Sequence, residues 1–169
     1  MIDNKKIKNI KIMLVDCDGC LTDGFLYYTE DGKYIKKFNS KDGIGLMQVC
    51  EMGIKTGIIT GDSFSKIAEI RAKHLKLDFA FSGVKIKHKK IEKLLKELDL
   101  SWDNLAYVGD DLNDLETIKR SAISFCPNNA HKTIKEYVSL VCDSLGGNGC
   151  VREACDIITN NSYFGDFSE

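Results

Sequence analysis

Apolar runs alternate with helix-period segments along almost the whole chain. Residues 10–16, 55–60, 79–81, 105–108, 122–126 and 139–142 are short apolar runs that read as strands. Between the third and fourth, Ile91, Leu94, Leu95 and Leu98 repeat at i, i+3, i+4 and i+7, which marks one apolar helix face with lysines on the other. Residues 43–52, 64–75, 112–120, 132–137 and 150–159 are the other predicted helices. Strands that alternate with helices predict an α/β fold, a Rossmann-like parallel sheet flanked by helices. One segment breaks the alternation. Residues 25–28 and 34–38 are aromatic-rich and flank "TEDGK", where Asp-Gly is a two-residue hairpin signal. The pattern predicts a β-hairpin projecting just after the first strand, and its aromatic residues are expected to be covered in an oligomer.

A chain of 169 residues fits one domain, taken as 1–169, with the hairpin at about 25–38 and a C-terminal tail at about 160–169. Lys and Arg number 24 against 25 Asp and Glu, a net charge of −1, which gives no pull toward nucleic acid or an anionic membrane. The lysines of "KIKHKKIEKLLKE" are expected on a solvated helix face. No apolar stretch approaches the roughly 18 residues that span a bilayer, and "MIDNKKIKN" lacks the apolar middle of a signal peptide, so a cytoplasmic protein is expected. The seven cysteines are odd in number and irregular in spacing, which favours reduced thiols. Cys17 and Cys20 form a C-x-x-C pair, but no second pair follows to complete a zinc site, and His74, His88 and His131 lie in no ligand spacing.

The chemistry gathers at strand ends. "IMLVDCDGCLTDG" puts Asp16 and Asp18 directly after the first strand; Thr60, Gly61 and Asp62 follow the second, and Asp110, Asp111 and Asp114 follow "LAYVG". Ligands of an open parallel sheet sit beyond the carboxyl ends of its strands, where strand order reverses. Several carboxylates in one crevice need a compensating cation, and all-oxygen ligands suit Mg2+. No G-x-x-x-x-G-K-[ST] occurs, which speaks against a P-loop kinase.

The ordered set "DCDGCLTDG", "IITG", a helix lysine and "VGDDLND" resembles the haloacid dehalogenase-like phosphohydrolases from about Lys11 to Ile157. The resemblance implies that fold, with Asp16 as nucleophile forming an aspartyl phosphate and Asp18 as the acid that protonates the leaving alcohol and then activates water. It further implies that Thr60 and Gly61 bind the phosphoryl group, that Asp16, Asp110 and the Asp18 backbone carbonyl hold Mg2+, and that Asp111 and Asp114 hold its waters or orient the site. The family places a lysine near the start of the helix before "VGDD"; counting back from "IEKLL" selects Lys87, with Lys85 next. The room after Asp18 and between Gly61 and Lys87 is too small for a cap domain.

Within that family "GFLYYTEDGKYIKKFNSKDGIGL" and "GGNGCVREACDII" are similar to the phosphatases of 3-deoxy-D-manno-octulosonate (KDO) 8-phosphate and of nonulosonate 9-phosphates. These are capless tetramers whose hairpins meet and whose C-terminal segments reach an adjacent active site. By that resemblance a homotetramer is expected, with Arg152 and the tail "NNSYFGDFSE" as contacts in trans. A frayed terminus is the competing view of the tail. Asp62 departs from the octulosonate pattern, which has Arg after the Thr-Gly, and is more similar to the nonulosonate branch. The resemblance therefore leaves a KDO 8-phosphate phosphatase of lipopolysaccharide biosynthesis beside a nonulosonate 9-phosphate phosphatase. A two-component receiver domain is the rival from another class, but its phosphorylated aspartate ends the third strand, and here "FAFSG" has none.

Overall fold

A computed structural model describes residues 2–160. Six parallel strands form one sheet: β1 (Ile12–Asp16), β4 (Lys55–Ile59), β5 (Phe79–Phe81), β6 (Leu105–Val108), β7 (Ile123–Cys126) and β8 (Leu140–Val141). Their spatial order is β5-β4-β1-β6-β7-β8, with the order reversing between β1 and β6. A receiver domain has the five-strand order 2-1-3-4-5 instead. A short helix α1 (Asn4–Asn9) precedes β1, and β2 (Tyr27–Tyr28) and β3 (Tyr34–Ile35) make a separate antiparallel pair. The remaining helices are α2 (Ser40–Glu51), α3 (Ile67–His74), α4 (Lys87–Glu97), α5 (Leu115–Arg120), α6 (Lys132–Tyr137) and α7 (Cys150–Ile158).

The four central strands, β4, β1, β6 and β7, are buried on both faces, so successive side chains enter different cores. Met13 and Val15 of β1 join Leu46 and Val49 of α2, Ala68 and Ala72 of α3 and Val151 and Ala154 of α7. Ile12 and Leu14 join Ile91, Leu94 and Leu95 of α4, Ile118 of α5 and Ile134 of α6. The parallel register aligns Asp16 with Ile59 and Val15 with Val108, which brings the residues following β1, β4 and β6 to one edge.

The predicted elements are present, with shifted ends. α2 starts earlier than the apolar pattern, because the Asn39 side chain accepts the Lys41 N–H at 2.9 Å and caps the helix upstream. The run at 112–120 divides into a tight turn, Leu112–Asp114, and α5. α1 was not predicted: it is short, carries Ile7 as its one apolar residue, and is started by the Asp3 side chain accepting from Lys5 N at 2.9 Å. The hairpin is also shorter in its pairing than expected and wider in its turn. Only two residues pair on each side, and Thr29 donates its N–H to the Lys33 carbonyl at 2.7 Å, closing a three-residue loop with Gly32 at φ +79°. Asp31 therefore sits in a turn whose left-handed position is Gly32 itself, rather than in a two-residue turn. Between β1 and α2 there is only this hairpin, and between Thr60 and Lys87 only α3 and β5, so no cap domain covers the sheet edge. No helix among the described residues is long and apolar enough to cross a membrane.

Candidate active site

Directly after β1 the chain makes one wide helical turn, Cys17–Leu21, closed by the Thr22 N–H on the Cys17 carbonyl at 3.0 Å. Gly19 takes φ +92° in that turn, and a Cβ there would fall inside the Asp110 carboxylate. Glycine thus lets the acidic groups after β1 and β6 approach each other. A glycine pair braces the turn from outside. Gly147 donates its N–H to the Cys20 carbonyl at 2.8 Å, and a Cβ on Gly146 would lie 1.7 Å from the Gly19 carbonyl oxygen. The N-terminus of α7 follows at once, and the buried Asp42 of α2 accepts from Arg152 N at 2.8 Å there. The segment "GGNGCVREACDII" is therefore a buttress for the turn that carries Asp16 and Asp18.

Lys87 stands four residues before Ile91 on the inward stripe of α4, and a helical side chain leans toward its own N-terminus. Both facts aim it at the end of β1. Its ammonium is fully buried and lies 2.5 Å from Asp16 Oδ1 and 2.7 Å from Asp114 Oδ1. Burial works against that charge, yet Asp16 and Asp114 outweigh it and hold its pKa above the ordinary lysine value. Asp114 also receives the Tyr107 hydroxyl at 2.5 Å and the N–H groups of Asp110 at 3.2 Å and Asp111 at 3.4 Å. It ties α4 to the loop after β6. Lys85 is exposed, whereas Lys87 meets Asp16.

Asp16, Asp18, Thr60, Gly61, Asp62, Asp110, Asp111 and Asn113 line one cavity of about 290 Å³. The Thr60 hydroxyl donates to Asp18 Oδ2 at 3.2 Å and accepts the Asp62 N–H at 3.0 Å. Burial pushes the Asp16 carboxyl well above the usual range, Lys87 pulls it back, and Asp114 and Asp110 push it up again. Asp110 is pushed up to about 6, first by burial and then by Asp114. A buried and a half-buried carboxyl group that resist ionisation together are the donor set a divalent cation relieves. Their oxygens converge with the Cys20 thiol, all within 4.8 Å of one another. Burial holds that thiol protonated, far above the ordinary cysteine range, so the oxygens are the available ligands and a hard ion such as Mg2+ fits them. The arrangement offers a carboxylate nucleophile, a second carboxyl two residues on, a hydroxyl and amides for an anion, and a buried cation.

The chain matches the family model of haloacid dehalogenase-like hydrolases over residues 81–153. It is 34% identical over 153 residues to the 3-deoxy-D-manno-octulosonate 8-phosphate phosphatase KdsC of Escherichia coli (strain K12), covering 90% of this chain and 81% of that one. The chain belongs to the haloacid dehalogenase-like hydrolases. Solved structures of the family superpose closely. A probable YrbI family phosphatase from Pseudomonas syringae pv. phaseolica 1448a matches with a TM-score of 0.90 and 40% identity, over 92% of this chain and 88% of that one. The 3-deoxy-D-manno-octulosonate 8-phosphate phosphatase from Moraxella catarrhalis, in complex with magnesium, phosphate and KDO, matches with a TM-score of 0.89 and 34% identity, over 92% and 89%.

One expected residue of this hydrolase stands outside the acidic cavity of its own chain, and some that matter were not expected. Arg152 is half-buried on α7, where its Nε donates to Asp156 Oδ1 at 2.7 Å, and it does not line the acidic cavity. The tail assigned to contacts in trans begins at Asn160 and otherwise lies outside the described residues. Asp111 is exposed and accepts the Leu112 N–H at 2.7 Å, capping its own turn, while it lines the cavity. Lys36, Tyr107 and Cys20 were missed as site residues. Period-2 alternation in "YIKKF" places Lys36 and Lys37 on opposite faces, but nothing in the sequence tells which face meets Asp18. Tyr107 reads as one more apolar position of β6, and its hydroxyl finds Asp114 only after folding.

Proposed function

We propose that this hydrolase cleaves the phosphate monoester of a 3-deoxy-2-ulosonic acid, 3-deoxy-D-manno-octulosonate 8-phosphate before others, through a phosphorylated Asp16. The observation that carries the reading is the pairing of two unlike carboxyl groups at one small cavity: Asp16, buried against the Lys87 ammonium, and Asp18, more open and bonded to Thr60. In this reading an Asp16 oxygen attacks phosphorus as the bond to the sugar oxygen breaks, and Asp18 gives that oxygen its proton. Asp18 then takes a proton from the water that attacks the aspartyl phosphate, which releases inorganic phosphate and restores Asp16. The Thr60 hydroxyl and the amides beside Gly61 hold the phosphoryl oxygens. Asp16, Asp110 and the Asp18 carbonyl would hold Mg2+, with Asp111 and Asp114 beyond them; when bound, the ion offsets the charge between a carboxylate and an incoming phosphate.

The names of the Escherichia coli and Moraxella catarrhalis relatives support the eight-carbon acid. Asp62 supports the second reading, a nonulosonate 9-phosphate, since it offers a hydrogen-bond acceptor where a guanidinium would offer donors. A panel of sugar phosphates assayed with Mg2+ decides between them. The first reading expects KDO 8-phosphate to have the highest kcat/KM; a higher value for a nonulosonate 9-phosphate favours the second, and hydrolysis of neither overturns both. Asp62→Arg should move the ratio of the two toward the octulosonate.

The same reading takes 1–169 as one domain, cytoplasmic, and a homotetramer joined through the hairpin. Phe25, Tyr28 and Ile35 support the assembly, each being 60% exposed or more in the single chain. Light scattering should give four times the chain mass, and a monomer would contradict it. Arg152 and the tail are proposed to contact the neighbouring site in that assembly.

A further inference from the structure

Lys36 comes just after β3, at the foot of the hairpin, and its side chain is 1% exposed. Its ammonium lies 2.8 Å from Asp18 Oδ1, 3.0 Å from Asp18 Oδ2 and 2.8 Å from Asp62 Oδ2. Asp62 is independently fixed by its own loop: Oδ1 accepts the Phe64 N–H at 2.8 Å and Oδ2 the Ser65 hydroxyl at 2.9 Å. The Asp18 side chain is 35% exposed. Its own backbone, φ −87° and ψ 114°, departs from helical values inside the wide turn. A short carboxyl in that situation has several accessible rotamers unless something holds it.

Lys36, Asp18 and Asp62 also line a second cavity of about 590 Å³, walled by Leu26, Tyr28 and Phe64, which adjoins the acidic one through Asp18 and Asp62. The leaving group of a phosphate bound at Asp16 would enter this space, and Asp18 stands at the junction. We propose that Lys36 is a positioning residue: it holds the Asp18 carboxyl at the junction for proton transfer to the leaving oxygen, with Asp62 as its fixed anchor. The proposal rests on the reading of Asp18 as the proton carrier. It gives the hairpin a part in the chemistry, because the residue that orients the acid belongs to the hairpin and not to the sheet edge. The Lys36 Nζ reaches both Asp18 oxygens and Asp62 Oδ2, so one side chain ties the acid to the loop after β4. A displacement of the order of 1 Å in a catalytic group costs up to roughly a hundredfold in rate.

The test separates orientation of the acid from general upkeep of the site. It compares kcat/KM, with Mg2+, for the most rapidly hydrolysed alkyl phosphate of the sugar panel and for p-nitrophenyl phosphate, whose leaving group departs without a proton. Asp18→Asn should lose about a hundredfold or more on the alkyl ester and far less on p-nitrophenyl phosphate. Equal losses for Asp18→Asn would overturn the reading of Asp18 itself. Given the unequal loss there, Lys36→Met is expected to fall about 10- to 100-fold on the alkyl ester with a much smaller loss on p-nitrophenyl phosphate, and Lys36→Arg to recover part of it. Equal losses of Lys36→Met on both esters, or none on either, would overturn the positioning role. Should the methionine variant fail to fold by circular dichroism, Lys36→Gln carries the same comparison.

Discussion

Replacing Lys87 by Met keeps most of the buried stem and removes the ammonium. Asp16 and Asp114, 2.5 Å and 2.7 Å from that ammonium, then face each other without a cation, with Asp110 beside them. Removing one partner of a buried ion pair costs about 3–5 kcal/mol, because a charge is left without compensation. For a chain of this size each kcal/mol corresponds to about 2–4 °C in Tm, so a fall of roughly 6–20 °C is expected. The assay is thermal unfolding by circular dichroism in EDTA, for wild type and variant. A double-mutant cycle isolates the cause. In an Asp114→Asn background one of the two carboxylates is already neutral, and Lys87→Met should cost about 1 kcal/mol less or better. Asp16, already raised by burial in the wild type, should hold its proton to still higher pH in the variant. A group whose folded pKa is raised favours the folded state below its unfolded value and loses that contribution as pH rises through the folded value. The variant should therefore recover stability on acidification more than wild type does. A Tm within 2 °C of wild type, or the same cost in the Asp114→Asn background, would refute the electrostatic account of Lys87.

Two further outcomes follow from the geometry. Gly146→Ala places a methyl group against the Gly19 carbonyl; the turn must move, with about 1–3 kcal/mol lost and turnover falling more than tenfold, measured by denaturant unfolding and phosphate release, whereas unchanged values would show that the glycine pair is no buttress. Asp110, with its carboxyl pushed up to about 6, should favour the metal-free fold below about pH 4 and lose that contribution through about pH 6. The Tm in EDTA should then fall less between about pH 5 and pH 7 in Asp110→Asn than in wild type, and the half-saturating Mg2+ of wild type should rise as pH drops below about 6; a flat Mg2+ requirement across that range would contradict the assignment.

The fold was legible because its signals are local. Ile91, Leu94 and Leu95 share a helix stripe, "LAYV" is followed by glycine, and the acidic groups fall where strands stop. Lys87 was singled out by the family resemblance together with a count back from "IEKLL", and the fold sets its ammonium against Asp16. What the sequence left open depends on contacts between distant segments. Lys36 meets Asp18 and Asp62 only because the hairpin folds back over the sheet edge, and strand alternation alone does not fix that direction. Gly146 and Gly147 read as loop residues until their approach to Gly19 and Cys20 is seen. The Asp-Gly turn was misjudged because the Thr29 hydroxyl and the Lys33 ammonium both bind Asp31, at 2.5 Å and 2.6 Å, and draw the loop one residue wider.

The central claim is that Asp16 carries the phosphoryl group in mid-reaction. Enzyme quenched during turnover of a sugar phosphate with Mg2+ and reduced with borohydride converts an aspartyl phosphate to homoserine, which peptide mass spectrometry locates. The account predicts homoserine at position 16 and nowhere else, and none in the absence of substrate. Modification at Asp18 or Asp110 in place of Asp16, or steady turnover by Asp16→Asn, would contradict it.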